Sequence, residues 1–231
     1  MNHTNLRAVI DMIDLSAVKA EQSQSDFQVL LKTAIKYRVK CVFVLPSHTK
    51  QVIDALKDYP EILVGGVVGF PGGGTTTASK VFECQELLGM GCSEIDMVMN
   101  IALLKSRNYD EFALDIKSVV DCAGVAPVKV ILECHHLTDE EIVKASELAA
   151  SAGADFVKTG TGWAPTGATE RNVSLMSKAV AGKCKVKAAG GVRDLETFWA
   201  LHAAGATRFG LGVATALNII EGASSAFGGE Y

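Results

Sequence analysis

Short apolar runs alternate with longer amphipathic stretches from one end of this sequence to the other, and that rhythm limits the fold more than any motif does. The runs fall at residues 9–15, 41–45, 62–70, 94–99, 128–132, 156–158, 186–188 and 208–211. Each reads as a strand. Between them, apolar residues recur at helical spacing, most clearly over 25–37 with Phe27, Leu30, Leu31, Ala34 and Ile35. Further helical stretches cover 49–56, 76–88, 109–122, 168–180, 195–203 and 213–220. Another opens at Thr138, where Glu141 completes a capping box. Eight β-then-α units predict a parallel sheet. In 231 residues they predict an α/β fold, a single (β/α)8 TIM barrel, normally ~250 residues long. A doubly wound open sheet is the alternative. No linker or charge block divides the chain. One domain over 1–231 is expected, with a flexible Gly- and Ser-rich tail from about residue 222.

Composition removes several function classes. The formal net charge is −4 and no basic run occurs, which argues against a nucleic-acid partner. No apolar stretch is long enough to span a bilayer, so no membrane partner is expected. The first fourteen residues lack the basic-then-apolar order of a signal peptide. The six cysteines are scattered without metal-binding spacing and read as small core residues in a reducing compartment. A cytoplasmic enzyme is expected.

The chemistry concentrates where strands run into small residues. In 155–162 the side chains of Val157 and Lys158 face opposite ways, because a strand alternates. With Val157 packed outward, Lys158 points into the interior at the strand's C-terminal end. Lys187 repeats the pattern and is followed by Gly190 and Gly191. Two lysines at neighbouring strand ends repel, which lowers the pKa of one and makes it a nucleophile near neutral pH. Asp96 on the fourth strand supplies an inward carboxylate. It could pair with the second lysine and keep it protonated. The bland alternatives are a snorkelling lysine at each strand end and a structural salt bridge.

Other polar residues at C-terminal strand ends are Asp14, Asn100, Lys129, Glu133, Thr159 and Thr161. Gly190 and Gly191, with Gly210 and Gly212 near the eighth strand, fall where barrels bind phosphate through backbone amides. His135 and His136 would face opposite ways on a strand and lack a third ligand, so no metal site is expected. His48 and His202 read as surface or helix residues, and Trp163 and Trp199 as packing.

Together these segments resemble the deoxyribose-phosphate aldolases, class I aldolases of the DeoC type. The resemblance covers nearly the whole chain. It is carried by Phe156-Val157-Lys158-Thr159-Gly160-Thr161-Gly162, by Val186-Lys187-Ala188-Ala189-Gly190-Gly191-Val192-Arg193 and by Glu94-Ile95-Asp96-Met97-Val98. Gly69-Phe70-Pro71, residues 128–133 and 137–141, and Ile13-Asp14 with Lys19 following also fit. The resemblance implies a TIM barrel that cleaves 2-deoxyribose 5-phosphate to acetaldehyde and glyceraldehyde 3-phosphate with no cofactor or metal. It implies Lys158 as the Schiff-base lysine, Lys187 as the lysine that perturbs it, and Asp96 as acid/base through a water. Tyr231 matches a C-terminal proton shuttle of some members. Asp14, Thr159, Thr161, Gly162, Gly190, Gly191 and Gly212 fall at substrate- and phosphate-binding positions. A homodimer is common in this fold, although nothing in the sequence marks an interface.

The sequence departs from the family where phosphate and substrate are contacted. Phe43 stands for a family cysteine, Trp163 for a lysine of some members, and Gly212-Val213 for a serine pair after strand eight. The aldol chemistry is therefore expected, and an aldolase for a different or unphosphorylated sugar is the second reading. A non-catalytic sugar-phosphate-binding barrel is the third.

Overall fold

The computed structural model describes residues 5–227. Eight parallel strands close into one barrel in sequence order. They are β1 (Ile13–Ala17), β2 (Cys41–Val44), β3 (Leu63–Val68), β4 (Glu94–Val98), β5 (Val128–Ile131), β6 (Phe156–Lys158), β7 (Lys185–Ala189) and β8 (Ala206–Gly212). The helices are α1 (Leu6–Ile10), α2 (Gln24–Tyr37), α3 (Pro46–Ala55), α4 (Thr77–Met90), α5 (Ile101–Lys105), α6 (Tyr109–Ala123), α7 (Asp139–Ser151), α8 (Glu170–Val180), α9 (Leu195–Ala203) and α10 (Val213–Phe227). Parallel strands between helices are buried on both faces, which is why β2, β4, β5 and β6 are buried throughout. No helix among the described residues is long and apolar enough to cross a membrane.

The expected closed barrel is the one observed, and the open sheet is not. Several element limits differ. Val9 and Ile10 belong to α1, so the first strand begins only at Ile13. Helix α10 continues to Phe227, past the point where a flexible tail was expected to start. Its buried residues Ala216, Ile219, Ile220 and Ala223 keep helical spacing through the Gly- and Ser-rich stretch. The capping box at Thr138 is present, with Glu141 Oε2 accepting from the Thr138 amide at 2.9 Å.

Two cores result. The larger one lies between the strands and the helices and is aliphatic and aromatic. Inside the barrel the apolar part is small, with Cys41, Phe43 and Val67 packed together. Most of the rest is charged: Asp14, Glu94, Asp96, Lys129, Lys158, Lys187 and Arg208 are all buried. A TIM barrel usually fills this space with layers of branched apolar side chains. An ionic filling is costly to desolvate and points to chemistry at its open end.

Candidate active site

Register sets the site. Lys158 on β6 is level with Lys187 on β7, and Asp96 on β4 with Lys129 on β5. These side chains meet on the barrel axis. Asp96 Oδ2 accepts from Lys158 Nζ at 2.7 Å and from Lys187 Nζ at 2.8 Å. Asp96 Oδ1 accepts from Lys129 Nζ at 3.0 Å. Other ion pairs support these contacts. Lys129 Nζ donates to Glu94 Oε2 at 2.6 Å. Arg208 reaches Asp14 Oδ1 at 2.9 Å and Glu94 Oε2 at 3.0 Å. Lys187 Nζ also lies 2.6 Å from Asp14 Oδ2, an ionic contact off the hydrogen-bonding direction.

Three acids thus face four bases, and the cluster carries one excess positive charge when every group is ionised. Losing one lysine proton neutralises it. Lys158 is placed to lose it. Burial pushes its pKa down and the Lys187 and Lys129 charges add to this; Asp96 opposes, and the outcome is about 8. Burial alone would raise Asp96, but Lys129, Lys158 and Lys187 outweigh it and hold the carboxyl well below its usual range. Lys129 is likewise desolvated, yet Asp96, Asp14 and Glu94 keep its pKa raised. The pair is therefore a firm carboxylate beside an amine that releases its proton near neutral pH.

Lys158 and Lys187 open onto a cavity of about 570 Å³ at the C-terminal ends of the strands. Of the other residues singled out in the sequence, Asp14, Thr161, Gly162, Gly190, Gly191 and Gly212 line it. Gly190 and Gly191 have φ of 73° and 80°, conformations that suit glycine. Thr159 is elsewhere. Its hydroxyl donates to the Ala189 carbonyl at 2.8 Å and accepts from the Ala189 amide at 2.8 Å, clamping the end of β6 to β7. The Thr161 hydroxyl donates to Glu133, and the Thr161 amide lies 3.3 Å from both Glu133 oxygens. Glu133 follows β5 and holds the loop after β6 rather than facing the cavity. Asn100 caps α5 by accepting from the Leu103 amide at 3.2 Å. Tyr231 lies outside the described residues.

Trp163 is not part of the cavity wall; it ties the mouth together. Its Nε1 donates to the Val18 carbonyl at 2.8 Å, and Lys19 Nζ donates to the Gly162 carbonyl at 2.6 Å. Phe70 meets the indole edge-on at 6.1 Å. The loops after β1, β3 and β6 are so joined.

His135 and His136 sit in a 3-10 turn (Cys134–His136) instead of a strand. His135 Nδ1 pairs with the Thr166 hydroxyl at 2.7 Å. Asp14, Cys41 and Glu94 do bring ligand atoms within 4.8 Å of one another. Both carboxylates are already matched to Arg208 and the lysines, and burial pushes the Cys41 thiol well up, away from the thiolate a metal needs. This donor set does not suit a metal. Glu94, Arg208 and Phe43 complete the barrel interior and were not singled out as site residues. Glu94 shares its strand face with Asp96, so alternation alone could have found it.

A closed barrel with a low-pKa buried lysine against a carboxylate at its open end is the architecture of an amine-dependent carbonyl enzyme. The chain belongs to the DeoC/LacD family of aldolases, whose family model matches residues 8–222. It is 42% identical over 213 residues to the deoxyribose-phosphate aldolase of Klebsiella pneumoniae subsp. pneumoniae, covering 91% of this chain and 85% of that one. It is 45% identical over 213 residues to that of Staphylococcus haemolyticus, covering 92% and 96%. Among solved structures it is similar to the deoxyribose phosphate aldolase of Aeropyrum pernix, described as a tetramer. The TM-score is 0.86 at 26% identity, covering 96% of this chain and 92% of that one.

Proposed function

We propose that this protein is a Schiff-base aldolase that reversibly cleaves 2-deoxy-D-ribose 5-phosphate to acetaldehyde and D-glyceraldehyde 3-phosphate. The observation that carries the reading is the contact of Lys158 and Lys187 with one oxygen of Asp96 on the cavity floor, at 2.7 and 2.8 Å. The neutral Lys158 amine attacks the C1 aldehyde of the open-chain sugar, and loss of water gives the iminium. The C3 hydroxyl then loses its proton towards Asp96 through a water. The C2–C3 bond breaks, its electrons flow into the iminium, and glyceraldehyde 3-phosphate leaves. The remaining enamine takes a proton at C2, and hydrolysis frees acetaldehyde and Lys158. The Lys187 charge disfavours protonation of Lys158.

The iminium is the electron sink, so no metal or cofactor enters the scheme. The phosphate is assigned to the backbone at Gly162, Gly190, Gly191 and Gly212, Asp14 to holding Lys187, and Thr159 to the strand clamp. Tyr231 is assigned to proton transfer at C2. Six free thiols, five of them buried, suit a reducing cytoplasm. The test is reduction with borohydride in the presence of acetaldehyde, followed by peptide mapping and a cleavage assay. The adduct should fall on Lys158 and vanish in Lys158→Ala; an adduct that survives this change overturns the reading.

A further inference from the structure

One aromatic ring on the cavity floor has no part in the scheme above. Phe43 is buried near the end of β2 and points into the barrel beside Cys41 and Val67. Its ring centroid lies 4.2 Å from Lys187 Nζ, 4.8 Å from Lys129 Nζ and 6.0 Å from Lys158 Nζ. The neighbouring strand leaves room for it. Gly65 is its register partner on β3, and a Cβ there would stand 2.2 Å from two ring carbons.

An aromatic face attracts a cation within about 6 Å, more strongly where water is excluded. The attraction falls with distance, so this ring favours charge on Lys187 and Lys129 over charge on Lys158. The surrounding charges do not cancel that bias. Asp96 on β4 touches all three lysines at similar distances. Asp14 on β1 contacts Lys187 and Glu94 on β4 contacts Lys129, which acts in the same sense. Arg208 on β8 is shared between those two acids, and Cys41 on β2 is held as a thiol.

We propose that Phe43 is a positioning residue that decides which lysine reacts: its face holds the charge on Lys187 and Lys129 and leaves Lys158 as the uncharged amine. This rests on the Schiff-base reading above. Without the ring, Lys187, which also opens onto the cavity, competes to be the neutral nucleophile.

The experiment places mono-, di- and trifluorophenylalanine at position 43 alone in the full chain. Fluorine withdraws electron density from the ring face with little change of shape. Each protein is treated with acetaldehyde and borohydride. The amine displaces water from the carbonyl to form the imine, hydride reduces it to an ethylamine, and peptide mapping gives the ratio of adduct on Lys187 to that on Lys158. The ratio should rise stepwise with fluorination, several-fold across the series, and Phe43→Leu should raise it too. Phe43→Tyr, which keeps the ring, should retain the wild-type ratio. A ratio that stays flat across the fluorinated series overturns the proposal, even if Phe43→Leu folds poorly. A wild-type protein with no adduct on Lys158 overturns the aldolase reading instead.

Discussion

Asp96 and Lys158 form an ion pair whose two halves hold their protons very differently. Their atoms meet at 2.7 Å, yet the acid stays ionised far below neutral pH while the amine releases its proton at about 8. The asymmetry arises because burial, joined by two like charges, outweighs the one carboxylate beside Lys158, whereas at Asp96 three lysines outweigh burial.

The first expected outcome concerns pH. Only the neutral amine attacks a carbonyl, so the rate of imine formation should rise about tenfold per pH unit below about 8 and level off above it. Lys187→Met removes a repelling charge. The pKa of Lys158 should then move up, by on the order of one unit, and the profile should shift to higher pH. Stopped-flow measurement of imine formation with acetaldehyde reads this directly. A profile unchanged by Lys187→Met would show that the Lys187 charge has no part in setting the amine.

Asp96→Asn should lower turnover by roughly 10²–10⁴-fold, the usual worth of a positioned acid/base. The change also leaves three buried lysines without their shared carboxylate, so denaturant unfolding must be measured alongside. Activity lost in a protein that remains folded at the assay temperature supports the assignment. Near-normal turnover refutes it.

Much of this was legible in the sequence, for identifiable reasons. Lys158 ends β6, whereas Lys187 and Asp96 lie in the middle of β7 and β4 rather than at the expected strand ends. In all three, period-two alternation fixes which side chains point inward. Arg208 is different. Its partner Asp14 is 194 positions away in the chain. The two meet only because β8 closes onto β1, with Asp14 level with Gly210. No local pattern contains that closure. Helix α1 was hidden because Val9 and Ile10 are apolar and run almost directly into Ile13. The last turns of α10 were hidden because Gly222, Ser224 and Ser225 look like linker, although the apolar spacing continues beneath them. The role of Glu133 depends on its left-handed backbone, φ 53°, which its residue type does not announce.

A second buried pair offers a test of stability separate from catalysis. Lys80 Nζ donates to Asp115 Oδ2 at 2.6 Å and to the Val98 carbonyl at 3.0 Å, and the Thr77 hydroxyl donates to Asp115 Oδ1 at 2.8 Å. Both charged side chains are shut off from solvent. Asp115→Ala should therefore cost about 3–5 kcal/mol, because it strands the Lys80 charge. The double change Lys80→Met/Asp115→Leu should return most of that. Burial already lowers the Lys80 pKa against the pull of Asp115. A depressed folded-state pKa gives stability that is lost as pH falls through it, so the Asp115→Ala deficit should shrink as pH rises toward 10.5. Urea unfolding of the variants at two pH values measures both effects. A single variant as stable as the double one would mean that Lys80 finds another partner or water.

The remaining prediction concerns the phosphate. The cavity keeps the glycines that let backbone amides approach an anion, and Gly212 at the end of β8 and residues 213–215 at the start of α10 line it. It lacks the hydroxyl pair that the family places after β8, since Val213 offers no side-chain donor. Lys19, a cation at the mouth, already donates to the Gly162 carbonyl and lies 5.5 Å from the Trp163 ring. A hydrogen bond to a charged group contributes about 1.5–3 kcal/mol, so two missing hydroxyls weaken phosphate recognition by an order of magnitude or more. The preference for deoxyribose 5-phosphate over free deoxyribose, taken as the ratio of kcat/KM values, should thus be modest in the wild type. It should grow at least about tenfold in Gly212→Ser/Val213→Ser. The change is sterically mild at position 212, where a new Cβ meets nothing within 4 Å. If the wild type already prefers the phosphorylated sugar strongly and the serines leave the ratio where it was, the backbone amides bind the phosphate unaided. The absence of the hydroxyl pair would then say nothing about the substrate.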